Sequence, residues 1–193
     1  MKFLLSLGII WTLLNTAEAL DCLMCRDFPQ CEDTFSGNCS SDELCATAAI
    51  RLQQMGSSLS VIRKTCVSPS LCDVGNGTFS GSLGFMRVVG SVQCCDTDNC
   101  NSQTLPIPAD QESNGFECYS CDSSTCRHKI QCVGVEDRCF NGNVTHWNTW
   151  APTVHVFGCA SSNLCVAFSH LSSASLPGFD LNGPNCCEGK LCN

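Results

Sequence analysis

The chain has 193 residues and a formal net charge of −8, from 10 basic and 18 acidic residues, and 20 of its residues are cysteines. The acidic balance argues against nucleic acid and anionic membranes as partners, because both carry negative charge. It permits attraction of a basic protein partner, although solubility alone accounts for such a balance. So many cysteines in a short chain are typical of a disulfide scaffold.

The first 19 residues predict a secretory signal peptide. Lys2 supplies a positive charge, residues 3–14 are a mainly apolar run, and the Ala-Glu-Ala of residues 17–19 fits a cleavage site. The apolar run is shorter than the roughly 20 residues that cross a bilayer, so we expect cleavage before Leu20. No later apolar segment or lipid-anchor signal is evident. We therefore expect a secreted, extracellular protein without a membrane anchor.

Two blocks of ten cysteines divide the rest of the chain. From Cys22 the successive steps are 3, 6, 8, 6, 21, 6, 22, 1 and 5, and from Cys118 they are 3, 5, 6, 7, 20, 6, 21, 1 and 5. Both blocks end in the motif C-C-x4-C-N. The repeat predicts two copies of one module, at residues 20–101 and 115–193. Residues 102–114 are polar, contain two prolines and no cysteine, and predict a linker.

Hairpins are predicted in the long gaps between the cysteines of the first module. Residues 46–52 and 59–64 are β-prone runs on either side of a turn-rich tip. Residues 85–92 predict another strand, because apolar side chains recur there at every second position. Residues 75–81, which contain three glycines, are predicted to be a loop.

The second module repeats this layout. Residues 140–146 and 153–157 flank a second hairpin tip, and residues 166–168 are expected to begin the last hairpin. Its long excursion through residues 172–183 is expected to be loosely structured. Because no segment shows a helical period, the predicted fold class is small, all-β and disulfide-rich.

The cysteines of a secreted chain are expected to form disulfides. The Cys-x-x-Cys pairs would suggest zinc in a cytosolic protein, but an even cysteine count in an oxidising compartment indicates bridges. The adjacent pairs Cys94-Cys95 and Cys186-Cys187 are also poor chelators. No metal or other cofactor is therefore predicted. A module of about 80 residues has only a marginal hydrophobic core, whereas each disulfide contributes roughly 2–4 kcal/mol.

The residues do not form a recognisable catalytic motif. The four histidines are His128, His146, His155 and His170, and none lies in a nucleophile or metal-ligand motif. Disulfide pairing would also remove any thiol nucleophile. We therefore expect a protein that is not an enzyme.

Three sequons predict N-glycosylation, at Asn38, Asn76 and Asn143. Asn76 and Asn143 are expected in accessible hairpin loops. The middle residue of the first sequon is Cys39, so disulfide formation competes with modification of Asn38.

Trp147 and Trp150 flank the central hairpin tip of the second module. A tip has no core behind it, and tryptophan is enriched in binding hot spots, so these indoles are predicted to contact a partner. The alternative is that one of them packs on the sheet or against the first module. Met55, on the matching tip of the first module, is a weaker candidate.

The initial Cys-x-x-Cys, the ten cysteines, the hairpin-length gaps and the terminal C-C-x4-C-N together resemble the three-finger domains of the urokinase-receptor and lymphocyte-antigen-6 family. The resemblance covers both modules and implies two tandem three-finger domains. It also implies that Asn101 and Asn193 tie the end of each module to its central strands. The implied disulfide pairs are Cys22–Cys45, Cys25–Cys31, Cys39–Cys66, Cys72–Cys94, Cys95–Cys100, Cys118–Cys139, Cys121–Cys126, Cys132–Cys159, Cys165–Cys186 and Cys187–Cys192.

Tandem modules behind a signal peptide are similar to the gamma-type phospholipase A2 inhibitors, whose second module usually has fewer cysteines than this one. That likeness implies a secreted, non-enzymatic protein that binds and occludes a secreted phospholipase A2. The alternative is a urokinase-receptor-like protein that binds an extracellular ligand or a receptor. A modulator of ion-channel receptors is a third reading, although such proteins usually have a single module. The sequence does not indicate the oligomeric state, nor which hairpin of a module contacts the partner.

Overall fold

The computed structural model describes residues 19–54, 56–75, 77–121, 125–146, 153–170, 174–176 and 179–193. The predicted signal peptide lies almost entirely outside these residues, as do Met55, Asn76, Trp147 and Trp150. No helix in the described part of the chain has the length and apolar character needed to cross a membrane.

The first module contains six strands, one short α-helix and a 3-10 helix. Strands β1 and β2 form a two-stranded sheet, whereas β3 to β6 belong to a larger one. The elements in chain order are β1 (Asp21–Cys25), β2 (Thr34–Asn38), β3 (Leu44–Gln54), β4 (Ser57–Val67), α1 (Pro69–Gly75), β5 (Gly77–Ser82), β6 (Met86–Cys95) and the 3-10 helix (Cys100–Ser102).

The second module has the same plan of three hairpins, with a helix before the last one. Strands β7 and β8 form a separate two-stranded sheet, and β9 to β12 join the larger sheet. The elements are β7 (Ser113–Ser120), β8 (His128–Val133), β9 (Glu136–His146), β10 (Val154–Ser161), α2 (Ser162–His170), β11 (Ala174–Leu176) and β12 (Phe179–Cys187).

The two modules share one eight-stranded sheet. Its order is β11-β12-β9-β10-β5-β6-β3-β4, so β5 of the first module pairs with β10 of the second. This antiparallel pairing is short, with Ser82 opposite Cys159 and Gly81 opposite Ala160. Each strand would otherwise be the edge of its own module's sheet. Over these two residue pairs each edge is covered by the other, and an exposed edge would be a site of unwanted association.

Disulfides make up the centre of each module. All 20 cysteines are paired, in the same ten pairs that the family resemblance implies, and no bridge crosses between modules. The first module buries Cys22, Cys39 and Cys45 together. The second module buries an equivalent cluster of Cys118, Cys132, Cys139 and Cys159. The sulfur atoms of Cys22, Cys39 and Cys66, and those of Cys118, Cys132 and Cys159, are close enough to suggest metal sites, but in bridged cysteines they are not the thiolates that bind metals.

Three details of the sequence-based prediction are wrong. Residues 77–81, part of the segment 75–81 that is expected to be a loop, lie in β5, which has partners on both sides. Two α-helices are present although none was expected, and residues 166–168 lie in α2 rather than in the last hairpin. Gly183, expected in a loose excursion, lies within β12.

The physical reason for the two helices is a covalent tether. Each short helix carries one cysteine, which is bridged to the final strand of its module through Cys72–Cys94 or Cys165–Cys186. Helices of 7 and 9 residues are too short to be stable alone. Their stability comes from tertiary contacts, which a search for helical periodicity does not detect.

The last residue of each module's cysteine motif has the structural role that the resemblance implies. The Asn101 side chain accepts a hydrogen bond from Leu23 N at 3.0 Å and donates to Leu23 O at 2.9 Å and Ala46 O at 3.1 Å. The Asn193 side chain accepts from Tyr119 N at 3.0 Å and donates to Tyr119 O at 3.0 Å and Phe140 O at 2.8 Å. Each amide therefore links the end of its module to the first and central hairpins.

Asn101→Asp should destabilise the first module, because a carboxylate cannot donate to Leu23 O or Ala46 O and would face both oxygens at a buried position. We expect a loss of at least about 1–3 kcal/mol in the free energy of unfolding, measured by denaturant titration. Gln93→Glu, the same change of amide to acid at an exposed position of β6, is the control and should cost under about 0.5 kcal/mol. Equal losses in the two variants would contradict the assigned role of Asn101.

The loop after β1 should respond to acid through Asp27. Hydrogen bonds from Asp33 N at 2.8 Å and Glu32 N at 3.1 Å hold the pKa of the Asp27 carboxyl below its ordinary value. The stability that these two hydrogen bonds contribute is fully present above the pKa that Asp27 has in the unfolded chain. It is lost as the pH falls through the lower pKa that Asp27 has in the folded protein. In an NMR titration the amide signals of Glu32 and Asp33 should shift together with the Asp27 carboxyl. Persistence of these shifts in Asp27→Asn would show that another group causes them.

Candidate partner-binding site at the domain junction

Glycine permits the close approach of the two modules. A Cβ atom on Gly158 of β10 would lie 1.9 Å from the carbonyl oxygen of Ser82 in β5, far inside van der Waals contact. At Gly81, on the other side of the junction, the nearest atom to such a Cβ is the end of the Leu164 side chain at 3.0 Å. A Cβ atom at Gly158 would therefore meet rigid backbone, whereas one at Gly81 would meet a flexible side chain.

A buried carboxylate bonds the two modules together. Glu136, at the start of β9, has no exposed surface. Its Oε1 accepts hydrogen bonds from Ser80 Oγ at 2.8 Å and Ser82 Oγ at 2.7 Å, both from the first module. Its Oε2 accepts from Val133 N at 2.9 Å within the second module. Both oxygens are thus satisfied, as burial of a carboxylate requires.

Further hydrogen bonds extend the junction along β5. Ser80 N donates to Ser161 Oγ at 3.1 Å, and Asn163 Nδ2 donates to Thr78 O at 3.0 Å. At the other end of the strand, Ser120 Oγ donates to Leu83 O at 2.9 Å. Polar contacts therefore run from the N-terminal end of α2 to the first hairpin of the second module.

An open apolar cleft, which we call the junction cleft, lies at this end of the interface. Its volume is about 470 Å³. The turn between β5 and β6 forms one wall, and strands β8 and β10 of the second module form the other. The larger apolar side chains lining it are Leu83, Phe85, Ile130, Val154, Val156 and Phe157. Phe85 is 48% exposed and Val154 53% exposed, so both remain available for contact.

A second cleft, which we call the amide cleft, adjoins the first and has a volume of about 440 Å³. It shares Gly84, Phe85 and Ile130 with the junction cleft, but its other lining residues include Gln53, Gln54, Arg87 and Gln131. Arg87 Nε donates to Ser82 Oγ at 3.1 Å. No acidic residue lines either cleft within the part of the chain that the structure describes.

Gly84 shapes the wall that the two clefts share. It has a φ of +84°, a backbone conformation that residues with a side chain rarely adopt. A Cβ atom there would lie 2.7 Å from Ser120 Oγ. The turn is closed by a hydrogen bond from Leu83 N to Met86 O at 2.8 Å. Glycine therefore lets this turn reach the second module and present Phe85 beside it.

The u-PAR/Ly-6 domain family matches the chain twice, over residues 18–103 and 114–193. The chain belongs to that family. It is 26% identical over 192 residues to Phospholipase A2 inhibitor CNF of Crotalus durissus terrificus, covering 94% of this chain and 91% of that protein. It is 26% identical over 186 residues to Phospholipase A2 inhibitor PIP of Malayopython reticulatus, covering 88% of this chain and 87% of that protein.

Among solved structures, the crystal structure of mouse TEX101 aligns with 90% of this chain and 98% of its own, at 15% identity and a TM-score of 0.30.

The structure of this u-PAR/Ly-6 protein describes some of the predicted site residues and not others. Trp147, Trp150 and Asn76 lie outside the described residues, so their assigned roles stay predictions. Asn38 is exposed in β2, where its Nδ2 donates to Asp21 Oδ1 at 3.4 Å. The expectation of a loop at Asn143 is wrong, since it is half-buried in β9. Glycosylation at each of the three sequons stays a prediction.

Sequence reasoning missed the junction residues. Glu136 follows a turn, Ser80 lies in the segment 75–81 expected to be a loop, and Ser82 directly follows that segment, so nothing local marks them as partners. His128 and His155 are distant in sequence and match no motif, yet both line the junction cleft. Only the weak alternation of residues 77–82 could have indicated a strand.

Gly158→Ala should separate β5 from β10, because its new methyl group would meet the Ser82 carbonyl oxygen. We expect a loss of about 1–3 kcal/mol in the free energy of unfolding, together with a larger radius of gyration in small-angle X-ray scattering. Gly81→Ala is the matched control and should change both quantities less, because the Leu164 side chain can move. If Gly158→Ala left both measurements unchanged, the close approach would not be a feature of the protein in solution.

Proposed function

We propose that this protein is a secreted, non-enzymatic inhibitor that binds a secreted phospholipase A2 and occludes it. The observation that carries the proposal is similarity to proteins named phospholipase A2 inhibitors over almost the whole of both chains, including 94% of this one. Because the match spans both modules, it reflects the tandem architecture as well as the family to which each module belongs.

The joined sheet supports action by occlusion. Binding costs less entropy when the contact surface is already ordered. Here five disulfides fix each module, and the β5–β10 pairing with the Glu136 hydrogen bonds fixes one module against the other. A wide, preorganised surface can therefore cover an enzyme without chemical reaction.

The charge of the chain favours a basic enzyme as the partner. The net charge is −8, and a field of one sign attracts an oppositely charged protein at long range. That contribution is screened by salt over a Debye length of about 8 Å at physiological ionic strength. Association with a basic phospholipase should therefore slow as salt is added, whereas dissociation should change less.

The decisive experiment is a titration of residues 20–193, refolded with intact disulfides, against a panel of acidic and basic secreted phospholipases. We expect reversible loss of hydrolysis that saturates at a fixed ratio of inhibitor to enzyme, first among the basic members. The assay should use both a monomeric substrate and vesicles, because inhibition of both would exclude simple coating of the lipid. Full activity of every enzyme at micromolar excess would refute the proposal.

The urokinase-receptor-like alternative gives a different result in a parallel measurement. It predicts saturable binding to intact cells in the absence of phospholipase, with no loss of lipid hydrolysis in the titration. Reduced and alkylated protein is the control for both measurements, because it has the same composition and charged side chains without the fold.

A further inference from the structure

The two clefts at the junction form one amphipathic surface. The junction cleft is lined mostly by apolar side chains, whereas the amide cleft contains an arginine and three glutamines. The two share Gly84, Phe85 and Ile130, so a single elongated molecule could contact both. A concave surface lined by large, exposed apolar side chains is typical of a binding site.

The polar part of this surface is suited to an anion. Arg87 is half-buried and uses its Nε to bond Ser82 Oγ. Within the described residues it has no ion pair, and no carboxylate lines the clefts. A guanidinium presents several donors in a plane and pairs well with a carboxylate. His128 and His155 add polar groups on the wall of the junction cleft.

We propose that the junction cleft and the amide cleft together bind one fatty carboxylate. The acyl chain lies in the junction cleft against Phe85 and Ile130, and the carboxylate lies beside Arg87. The volume of the junction cleft, about 470 Å³, is within the range of about 300–1,000 Å³ that is typical of small-molecule sites. This inference does not rest on the proposed function, although hydrolysis of a phospholipid ester by a phospholipase A2 releases the same class of molecule.

The charge and shape of the clefts disfavour other amphiphiles. A fatty alcohol could fill the apolar part but would lose the ionic contact with Arg87. A lysophosphatidylcholine carries a bulky zwitterionic head, whose ammonium group would find no acidic partner among the described residues that line the clefts. A carboxylate with an unbranched chain matches both parts of the surface.

The experiment is a calorimetric titration of residues 20–193, without any enzyme, using octanoate, decanoate and dodecanoate below their micelle-forming concentrations. Burial of each methylene contributes enough to predict a rise of about three- to four-fold in affinity per added methylene. Alcohols of equal chain length should bind about ten-fold or more weakly, because they lack a charge-assisted hydrogen bond. Lysophosphatidylcholine with the same chain length should bind more weakly than the carboxylate.

Two substitutions separate the two parts of the site. Phe85→Ser should lower the affinity for carboxylates and for alcohols alike. Arg87→Gln should lower the affinity for carboxylates to near that for alcohols and leave the affinity for alcohols unchanged. Leu59→Ser and Arg63→Gln are the matched controls, since they remove an exposed leucine and an exposed arginine from β4, at the far edge of the sheet. Neither control should alter binding.

Several results would overturn the proposal. They are affinity independent of chain length, equal binding of alcohol and carboxylate, preference for lysophosphatidylcholine, or equal losses in the β4 controls. Thermal unfolding of each variant separates misfolding from loss of binding. If Phe85→Ser does not fold, Val154→Thr provides the second test of the apolar wall, because Val154 is exposed and is the first residue of β10. Unchanged binding of dodecanoate by that variant would likewise contradict the site.

Discussion

Cross-linking by cystine is the constraint on which the rest of this structure depends. Half of the buried apolar residues in the described chain are cysteines, and the remainder are mainly alanine, valine and isoleucine, with a single phenylalanine. Such small side chains bury little apolar surface, so the free energy that orders the hairpins must come largely from restriction of the unfolded chain. The cluster of Cys22, Cys39 and Cys45 fixes the base of the first module, and the corresponding cysteine cluster does the same in the second.

Hydrogen bonds to a buried carboxylate hold the two modules together, because their small cores bury little apolar surface. A carboxylate without exposed surface is unfavourable unless its oxygens are satisfied, and Glu136 obtains two of its hydrogen bonds from the other module. Separation of the modules would leave those bonds unmade. The same network continues through Ser82 to Arg87, so the residues that hold the modules together also orient the basic group of the amide cleft. Architecture and the candidate ligand site are therefore coupled at this interface.

The sequence predicted the repeated parts of the structure well and the junction poorly. The hairpin strands around residues 46–64 were anticipated because β-prone runs flank a turn there, and β3 and β4 extend each run by several residues. By contrast, β5 contains Gly-Thr-Phe-Ser-Gly-Ser, a composition typical of a loop. It forms a strand because β6 and β10 supply hydrogen-bonding partners on its two sides. Helix α2 likewise depends on its disulfide to β12 and on packing near Phe140.

The sequence by itself determined the number of modules and the family to which they belong. Cysteine spacing is a covalent property that can be read along the chain, and the closing Asn101 and Asn193 accompany it. The tertiary structure alone decided that the modules share one sheet, that Glu136 accepts hydrogen bonds from Ser80 and Ser82, and that Phe85 lies beside Ile130 across the junction. These contacts join residues about 45 to 80 positions apart through backbone edges and short polar side chains. Such groups carry no periodic signal, because their partners are defined only after both modules have folded.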